Sequence, residues 1–182
     1  MDINIATVDF ETEAIEEDSN GAPKPVGVSI KIDNERSTYY AFGHPTNNNT
    51  TEAVAHQQLD IVRRHTKKIV FHNAKFDVAV WKQYYGFSQY DKVEDTLFLA
   101  FLKDPREATL SLKPLADKYL DMPPDEQTEL KEWLILNVKK ATERNYGKYI
   151  CLAPGDLVGK YAAGDTDRTY ALYLFFTDRL FS

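Results

Sequence analysis

Three separate segments of the sequence carry acidic side chains at spacings that would suit metal binding or acid–base catalysis. The first segment is Asp9-Phe10-Glu11, at the end of an apolar run. Because side chains of a strand alternate between its two faces, both carboxylates lie on the same face of a sheet. Two acids that converge at a strand end could bind a cation. A solvated sheet edge explains the same motif when it is taken alone.

A second segment places an acid at the start of a predicted helix. Asn73 and Asp77 follow residues 69–71, a short apolar stretch typical of a buried strand. Negative charge is favoured near a helix N-terminus. A purely structural role, with Asn73 as the N-cap and Asp77 complementing the helix dipole, fits equally well. This segment by itself therefore leaves both interpretations open.

The third segment lies in the last predicted helix and pairs a phenol with an acid. Tyr161 and Asp165 are four residues apart, so they share one helix face at about 6 Å along the axis. Small residues separate them, which would let this helix approach another backbone closely. The structural alternative is a core aromatic at Tyr161 and a surface acid at Asp165.

The pattern of apolar residues predicts the elements that would position these side chains. Predicted strands cover residues 3–10, 26–32, 37–42, 69–71 and 93–94. Predicted helices begin after caps at Asn49, Asn73, Asp95 and Ser111, and cover residues 125–146 and 156–181, with Gly147 as a terminator. Three antiparallel strands followed by helix-linked strands predict an α/β three-layer fold with a mixed five-stranded sheet flanked by helices. We expect one domain over residues 1–182.

Composition and charge exclude several classes of protein. The 22 basic and 28 acidic side chains give a net charge of −6, which argues against broad wrapping of duplex nucleic acid. The longest apolar runs, around residues 97–102 and 171–176, are too short for a membrane span. A lone Cys151 cannot form an internal disulfide, so we expect a reducing, cytoplasmic setting. Residues 9–18 hold six acids and no cation, and should need cations or solvent around them.

The order of the three segments resembles a known enzyme family. In chain order the chemically notable residues are Asp9, Glu11, Asp77, Tyr161 and Asp165. This order is similar to the three motifs of the DEDD (DnaQ-like) 3′–5′ exonucleases, in the subclass with a tyrosine in its third motif. Residues 94–120 resemble the linking region of the proofreading exonuclease domains of family A DNA polymerases. The resemblance covers nearly the whole chain.

This resemblance implies a ribonuclease H-like fold and two divalent cations, Mg²⁺ or Mn²⁺, for which clustered carboxylates are suitable oxygen ligands. It implies that Asp9 bridges both ions. Glu11 and Asp165 would complete the site of the ion that activates water, and Asp77 would hold the second ion through water. The hydroxyl of Tyr161 would orient the attacking water.

Substrate contacts are also implied by the resemblance. Thr12 and Ile15 would hold the terminal nucleotides, with Ile15 as an apolar wedge between bases, and Asn73 would contact the last nucleotide. A minor core anchor is the alternative for Ile15. Further candidate phosphate contacts, each of which could instead be solvated surface, are Lys75, Lys113, Lys160 and Arg168. We expect His72 to be structural.

The sequence therefore predicts a metal-dependent 3′–5′ exodeoxyribonuclease. It would act as a monomer on a single-stranded DNA 3′ end and release 5′-mononucleotides, alone or as a proofreader for a separate DNA polymerase. One alternative is an exoribonuclease, because acids that contact phosphate do not sense a 2′-hydroxyl. Another is a non-catalytic polymerase accessory module that docks through the aromatic end of the last helix. Four intact acids disfavour this last alternative.

Overall fold

A mixed five-stranded sheet forms the centre of the molecule. The computed structural model describes residues 3–15 and 20–181, apart from the side chain of Glu126. The strands are β1 (Ile3–Thr12), β2 (Pro25–Ile32), β3 (Thr38–Ala41), β4 (Thr66–Phe71) and β5 (Val93–Asp95), in the order β3-β2-β1-β4-β5. Strands β1, β2 and β3 form an antiparallel meander, and β4 and β5 add in parallel. The predicted fold class is confirmed.

Helices cover both faces of this sheet. In the described part of the chain they are α1 (Glu52–His65), α2 (Ala74–Tyr85), α3 (Thr96–Lys103), α4 (Leu112–Leu120), α5 (Asp125–Asn137) and α6 (Gly155–Phe181). None of these helices is both long enough and apolar enough to cross a membrane. Of the six acids in the segment 9–18, the three at positions 16–18 lie outside the described residues.

Alternation along β1 sends its side chains to two different helical layers. Val8 and Phe10 join a core with α1 and α2 that includes the fully buried Trp81. The opposite face of the sheet is covered by α6, whose Phe176 is also fully buried. Complete burial of one such side chain contributes about 1.5–3 kcal/mol. The period of two therefore leaves Asp9 and Glu11 on the face that α6 covers.

The predicted cap of α1 at Asn49 is wrong. The N-cap is Thr51, whose side chain accepts a hydrogen bond from the Val54 backbone N. The side chain of Asn49 instead pairs with the end of β3, since it accepts from Ala41 N at 2.9 Å and donates to the Tyr39 carbonyl at 2.8 Å. Both residue types make good caps, and the unpaired strand end determines which of them caps the helix.

The predicted helix over residues 125–146 is too long. It ends at Asn137, and Val138 is extended. Asn145 then closes a turn by accepting from Thr142 N at 2.7 Å, which competes with continued helix. Gly147 does not terminate α5; it lies in a 3₁₀ segment, Tyr146–Leu152. Because the chain turns back after α5, apolar side chains from the following segment pack against those of α5. A continuous helix would have placed these side chains away from that cluster.

Candidate active site

The first two acids stand where β1 extends past its parallel neighbour. Strand β1 pairs with β4 only as far as Thr7, while it stays paired with β2 as far as Thr12. The pairing with β2 shifts register between Glu11 and Thr12, an irregularity of the kind that often re-aims side chains near active sites. Asp9 and Glu11 thus lie at the open end of the sheet, beyond the last paired residue of β4.

Helix α6 brings a third acid to the same place. Ala162, one turn before Asp165, is fully buried, and the hydroxyl of Thr166 lies 2.8 Å from the hydroxyl of Ser29 on β2. This close approach agrees with the small residues before Asp165. Carboxylate oxygens of Asp9, Glu11 and Asp165 lie within 4.8 Å of one another. Residues far apart in the chain therefore form one acidic cluster.

Asp77 lies beside this cluster and is held by the backbone. It occupies the first turn of α2 and is 3% exposed. Its Oδ1 accepts a hydrogen bond from the Phe10 backbone N at 2.8 Å, in the part of β1 that β4 does not reach. The carboxylate therefore satisfies a buried donor. Asp77 is outside the group of three whose oxygens lie within 4.8 Å, but it is close enough to raise the pKa of Asp9.

Burial and mutual repulsion make these acids hard to ionise together. The pKa of Asp9 is raised well above its usual range, first by burial and then by the charges of Asp77, Glu11 and Asp165. Burial, with repulsion from Asp165, raises the pKa of Glu11 to about 8. Burial likewise raises the pKa of Asp77 to about 7, against the hydrogen bond from Phe10. A bound cation would remove this electrostatic cost.

Two cationic side chains contact Asp165. Lys113, from α4, places its Nζ 2.9 Å from Oδ1 and 3.1 Å from Oδ2 of Asp165. Arg168 lies one turn further along α6, 3.6 Å from Asp165 Oδ1, and donates to the Pro123 carbonyl at 2.6 Å. Arg168 is 4% exposed, so the predicted phosphate contact at this residue is wrong. It serves instead to join α6 to the segment before α5.

The other two predicted phosphate contacts are at the surface. Lys75 is exposed in the first turn of α2 and lines a cleft beside the acids. Lys160 is also exposed, with its Nζ 3.6 Å from Glu129. An exposed ion pair of this length contributes little to stability. Lys75 therefore keeps its candidate role, and the weak surface pair of Lys160 leaves that residue with both of its interpretations, a phosphate contact or solvated surface.

Tyr161 lies in the acidic cleft with its ring beneath a cation. The Nζ of Lys113 is 4.2 Å from the centre of the ring. Burial, followed by the charges of Asp165, Glu11 and Asp9, raises the pKa of Tyr161 well above its usual range. The hydroxyl therefore keeps its proton at neutral pH and can donate a hydrogen bond to water or phosphate oxygen.

The backbone at Asn73 is special, but the residue does not cap α2 with its side chain. Asn73 adopts a left-handed conformation with φ 67°, which asparagine tolerates better than most residues. The two oxygens of Asp95 accept from the backbone N of Asn73 and of Ala74, each at 2.9 Å. Asp95 also caps α3 through Leu97 N. The structural explanation of Asn73 as a side-chain cap is therefore wrong.

The predicted substrate contacts line three clefts, two of which include acids of the cluster. Asn73 borders a cleft of about 480 Å³ that contains Asp9, Tyr161 and Asp165. Ile15 is 67% exposed and lines two neighbouring clefts of about 780 Å³ and 310 Å³. This exposure contradicts the core-anchor alternative for Ile15. Thr12 lines the smaller of these two clefts, and its hydroxyl donates to the Glu13 carbonyl at 2.9 Å.

Two histidines near the site are held by polar contacts. His72 borders the cleft that contains Asp9 and Asp165, and it lies 2.8 Å from both the Thr96 hydroxyl and the Leu110 carbonyl, which agrees with the expected structural role. No role was predicted for His44, yet it is buried between the Tyr39 hydroxyl at 2.7 Å and the Ala153 carbonyl at 3.0 Å. Tyr39 lies over Gly27, where any Cβ would overlap its hydroxyl. Gly27 is the register partner of Glu11, and no spacing signal in the sequence connects these residues.

The donor chemistry of the cluster fits a hard divalent cation. Three carboxylates supply oxygen ligands from two elements, and no thiol or imidazole belongs to this group among the described residues. Oxygen ligands at such spacing suit Mg²⁺ or Mn²⁺. An α/β protein with this acidic cluster at the open end of its sheet has the features of a metal-dependent enzyme that acts on phosphate esters.

Comparison with known proteins identifies the family. A 3′–5′ exonuclease family model matches residues 3–180. The DNA polymerase of Escherichia phage T5 is 33% identical over 136 residues, which cover 71% of this chain and 16% of that polymerase. The chain belongs to the 3′–5′ exonuclease family, and it is a hydrolytic nuclease that resembles a polymerase proofreading domain. A non-catalytic accessory role is not favoured.

Solved structures show the same fold. Brucella melitensis NrnC with bound Mg²⁺ matches with a TM-score of 0.63 at 16% identity, over 98% of this chain and 74% of that one. Escherichia coli RNase D, an exoribonuclease involved in structured RNA processing, matches with a TM-score of 0.59 at 16% identity, over 97% of this chain and 39% of that one. At such identity the likeness extends to the ribonuclease H-like fold alone.

Proposed function

We propose that this nuclease is a metal-dependent exodeoxyribonuclease that removes 5′-mononucleotides from the 3′ end of single-stranded DNA. The observation that carries the proposal is the cluster of Asp9, Glu11 and Asp165, with oxygens within 4.8 Å, at the end of an open cleft. The relative from phage T5, a DNA polymerase, supports DNA as the substrate. Net negative charge is compatible with this role, because only a few terminal nucleotides need to be held.

The acids would hold the metal, and neighbouring residues would hold the substrate. Asp9, Glu11 and Asp165 would be direct ligands, and Asp77 would hold a second ion through water. Divalent cations bound there supply an activated water and stabilise the charge on the leaving 3′ oxygen. The protonated hydroxyl of Tyr161 would orient the attacking water by a hydrogen bond.

Substrate would enter through the clefts beside the acids. The exposed Ile15 would insert between the terminal bases, since apolar contact with a base tolerates any sequence. Thr12 and Asn73 would contact the last nucleotide from opposite sides, and their positions on neighbouring clefts support this assignment. Lys75 would meet a phosphate of the entering strand.

Replacing Tyr161 with phenylalanine should lower kcat by about 10–100-fold with a small change in KM. The variant removes one hydrogen bond to the water and keeps the ring under Lys113. Single-turnover rates on a single-stranded oligonucleotide measure the effect. Tyr170→Phe is the matched control: this tyrosine lies on the same helix with its ring near Lys31, and the variant should keep the rate of the unaltered protein. An equal loss in both variants would contradict the role of Tyr161.

The substrate is tested with DNA and RNA strands of one sequence. Each strand carries a 3′ label and is incubated with Mg²⁺, with EDTA as the control. The proposal expects labelled mononucleotide from the first time point and faster turnover of DNA than of RNA. Labelled products longer than one nucleotide would contradict exonuclease action. Faster turnover of RNA than of DNA would be consistent with exonuclease activity but would overturn DNA as the proposed substrate.

Partner and assembly state are further parts of the proposal. Because the chain spans 16% of the length of the phage T5 polymerase, that protein's full activity does not transfer to this chain. We infer that the chain works as a monomer and trims ends for a DNA polymerase. Light scattering should give the mass of one chain, and a dimer would contradict the first part. A polymerase lacking its own exonuclease should make fewer errors when this chain is added.

A further inference from the structure

Lys113 lines the cleft that contains the acids and contacts two of the predicted site residues. Its Nζ lies 2.9 Å and 3.1 Å from the two oxygens of Asp165 and 4.2 Å from the centre of the Tyr161 ring. The side chain is only 15% exposed, and that of Asp165 is 9% exposed. One ammonium group therefore contacts both the acid and the phenol that the last helix contributes to the site.

This ammonium group competes with a divalent cation for the same acid. A carboxylate of Asp165 bound to a divalent ion would bring that ion close to Nζ in a half-buried cleft. Two cations about 4 Å apart repel strongly where the effective dielectric constant is low. An ammonium group that contacts both oxygens of Asp165 also hinders a metal ion from binding both of these oxygens at once. Binding of a divalent ion at Asp165 therefore weakens the contact between Lys113 and that carboxylate.

We propose that Lys113 is a resident counter-ion that holds Asp165 and Tyr161 in place until metal binds, and then moves away to contact a substrate phosphate. The inference rests on the proposed metal ligands. Before metal binds, the lysine offsets part of the repulsion among the acids. After metal binds, the released ammonium group has room to move within the cleft of about 480 Å³ that Lys113 lines together with Asn73 and Ser111.

The chemistry of lysine suits this exchange. Its charge sits on a flexible four-carbon stem with rotatable donors, so it can leave one oxygen pair and contact another. Arg168, the other cation at Asp165, is 4% exposed and is tied to the Pro123 carbonyl. Arg168 therefore remains with Asp165 when Lys113 moves.

Chemical labelling of the unaltered protein tests the exchange directly. A short pulse of acetic anhydride is applied with and without Mg²⁺, in the absence of nucleic acid, and each lysine is quantified by mass spectrometry. Labelling of Lys113 should rise severalfold with Mg²⁺, because the amine leaves its buried ion pair. Lys118, an ion-paired lysine on the same helix, is the internal control and should not change. Unchanged or lower labelling of Lys113 at saturating Mg²⁺ would overturn the proposal.

Metal affinity provides the second test. Calorimetric titration with Mg²⁺ in mildly alkaline buffer should show about tenfold tighter binding by Lys113→Met, because a repelling charge is gone. Lys118→Met should bind as the unaltered protein does. The KM for a single-stranded oligonucleotide should rise in Lys113→Met and recover in Lys113→Arg. Equal or weaker Mg²⁺ binding by Lys113→Met would contradict the counter-ion role. An unchanged KM in this variant would contradict the phosphate role.

The two proposals fail in different ways. If the unaltered protein binds no Mg²⁺ at all, the metal ligands are wrong and the counter-ion role fails with them. If the unaltered protein binds Mg²⁺ but Lys113 is neither released nor competitive, only the counter-ion role fails. Because the labelling test uses the unaltered chain, it distinguishes these outcomes even if Lys113→Met does not fold.

Discussion

Asp9→Asn should reduce hydrolysis of DNA 3′ ends by at least about a thousandfold, which corresponds to about 4 kcal/mol of transition-state stabilisation. Asp9 shares one oxygen cluster with Glu11 and Asp165, and its carboxylate also interacts with that of Asp77, so its loss removes a ligand that is coupled to every other acid of the site. The substitution keeps the shape of the side chain. Rates measured at saturating Mg²⁺ give the size of the loss.

The same variant should be more stable than the unaltered protein when no metal is present. Repulsion and burial oppose ionisation of Asp9, and the amide removes both costs. Thermal unfolding in EDTA measures this gain. Glu132→Gln is the control, since Glu132 is an exposed acid on α5 and should affect neither rate nor stability. A slow Asp9→Asn variant that is also less stable would point to damage to the fold and contradict the catalytic assignment.

The metal-free protein should lose stability as the pH rises from about 5 to about 8. The pKa of Glu11 rises from an ordinary 4.5 to about 8, and that of Asp77 from 3.8 to about 7. A carboxyl group with a raised pKa in the folded state binds its proton more tightly there than in the unfolded chain. Its stabilising contribution is therefore complete below the ordinary pKa and is lost as the pH passes through the raised pKa.

The loss should amount to several kcal/mol, since each tenfold change in proton affinity corresponds to about 1.4 kcal/mol. Mg²⁺ should restore the stability, and more so at the upper end of this range, where the ligands no longer hold protons. Denaturant unfolding at a series of pH values, with Mg²⁺ and with EDTA, measures both effects. Asp77→Asn should flatten the EDTA profile. A metal-free stability that stays level or rises over this range would be incompatible with the acidic cluster.

Periodicity was sufficient to predict the elements that carry the acids. The alternation of β1 places Asp9 and Glu11 on one face, and the spacing of four places Tyr161 and Asp165 on one face of α6. The sheet order then brings these faces together. The shared faces depend on residues close together in the sequence, and the sheet order depends on the fold class. Both can be predicted from the sequence.

Side chains whose roles depend on distant partners were not predictable in the same way. Asp95 was expected to cap α3, but it also caps the start of α2, because β4 and β5 end side by side. The sequence makes Lys113 a candidate phosphate contact or a solvated lysine, and its contact with Asp165 arises only from the packing of α4 on α6. The early end of α5 likewise follows from where its apolar face is buried. Tertiary packing determines these contacts and this helix end, and the spacing of residues in the sequence alone does not predict them.

An anomalous difference map from crystals grown with Mn²⁺ would show whether the acidic cluster binds metal. We expect a peak at about 2.1 Å from carboxylate oxygens of Asp9, Glu11 and Asp165, with a second peak on the side of Asp77 when a 3′ nucleotide is present. A map in which Mn²⁺ binds only at other surface acids, while the cluster stays empty at saturating metal, would contradict this expectation.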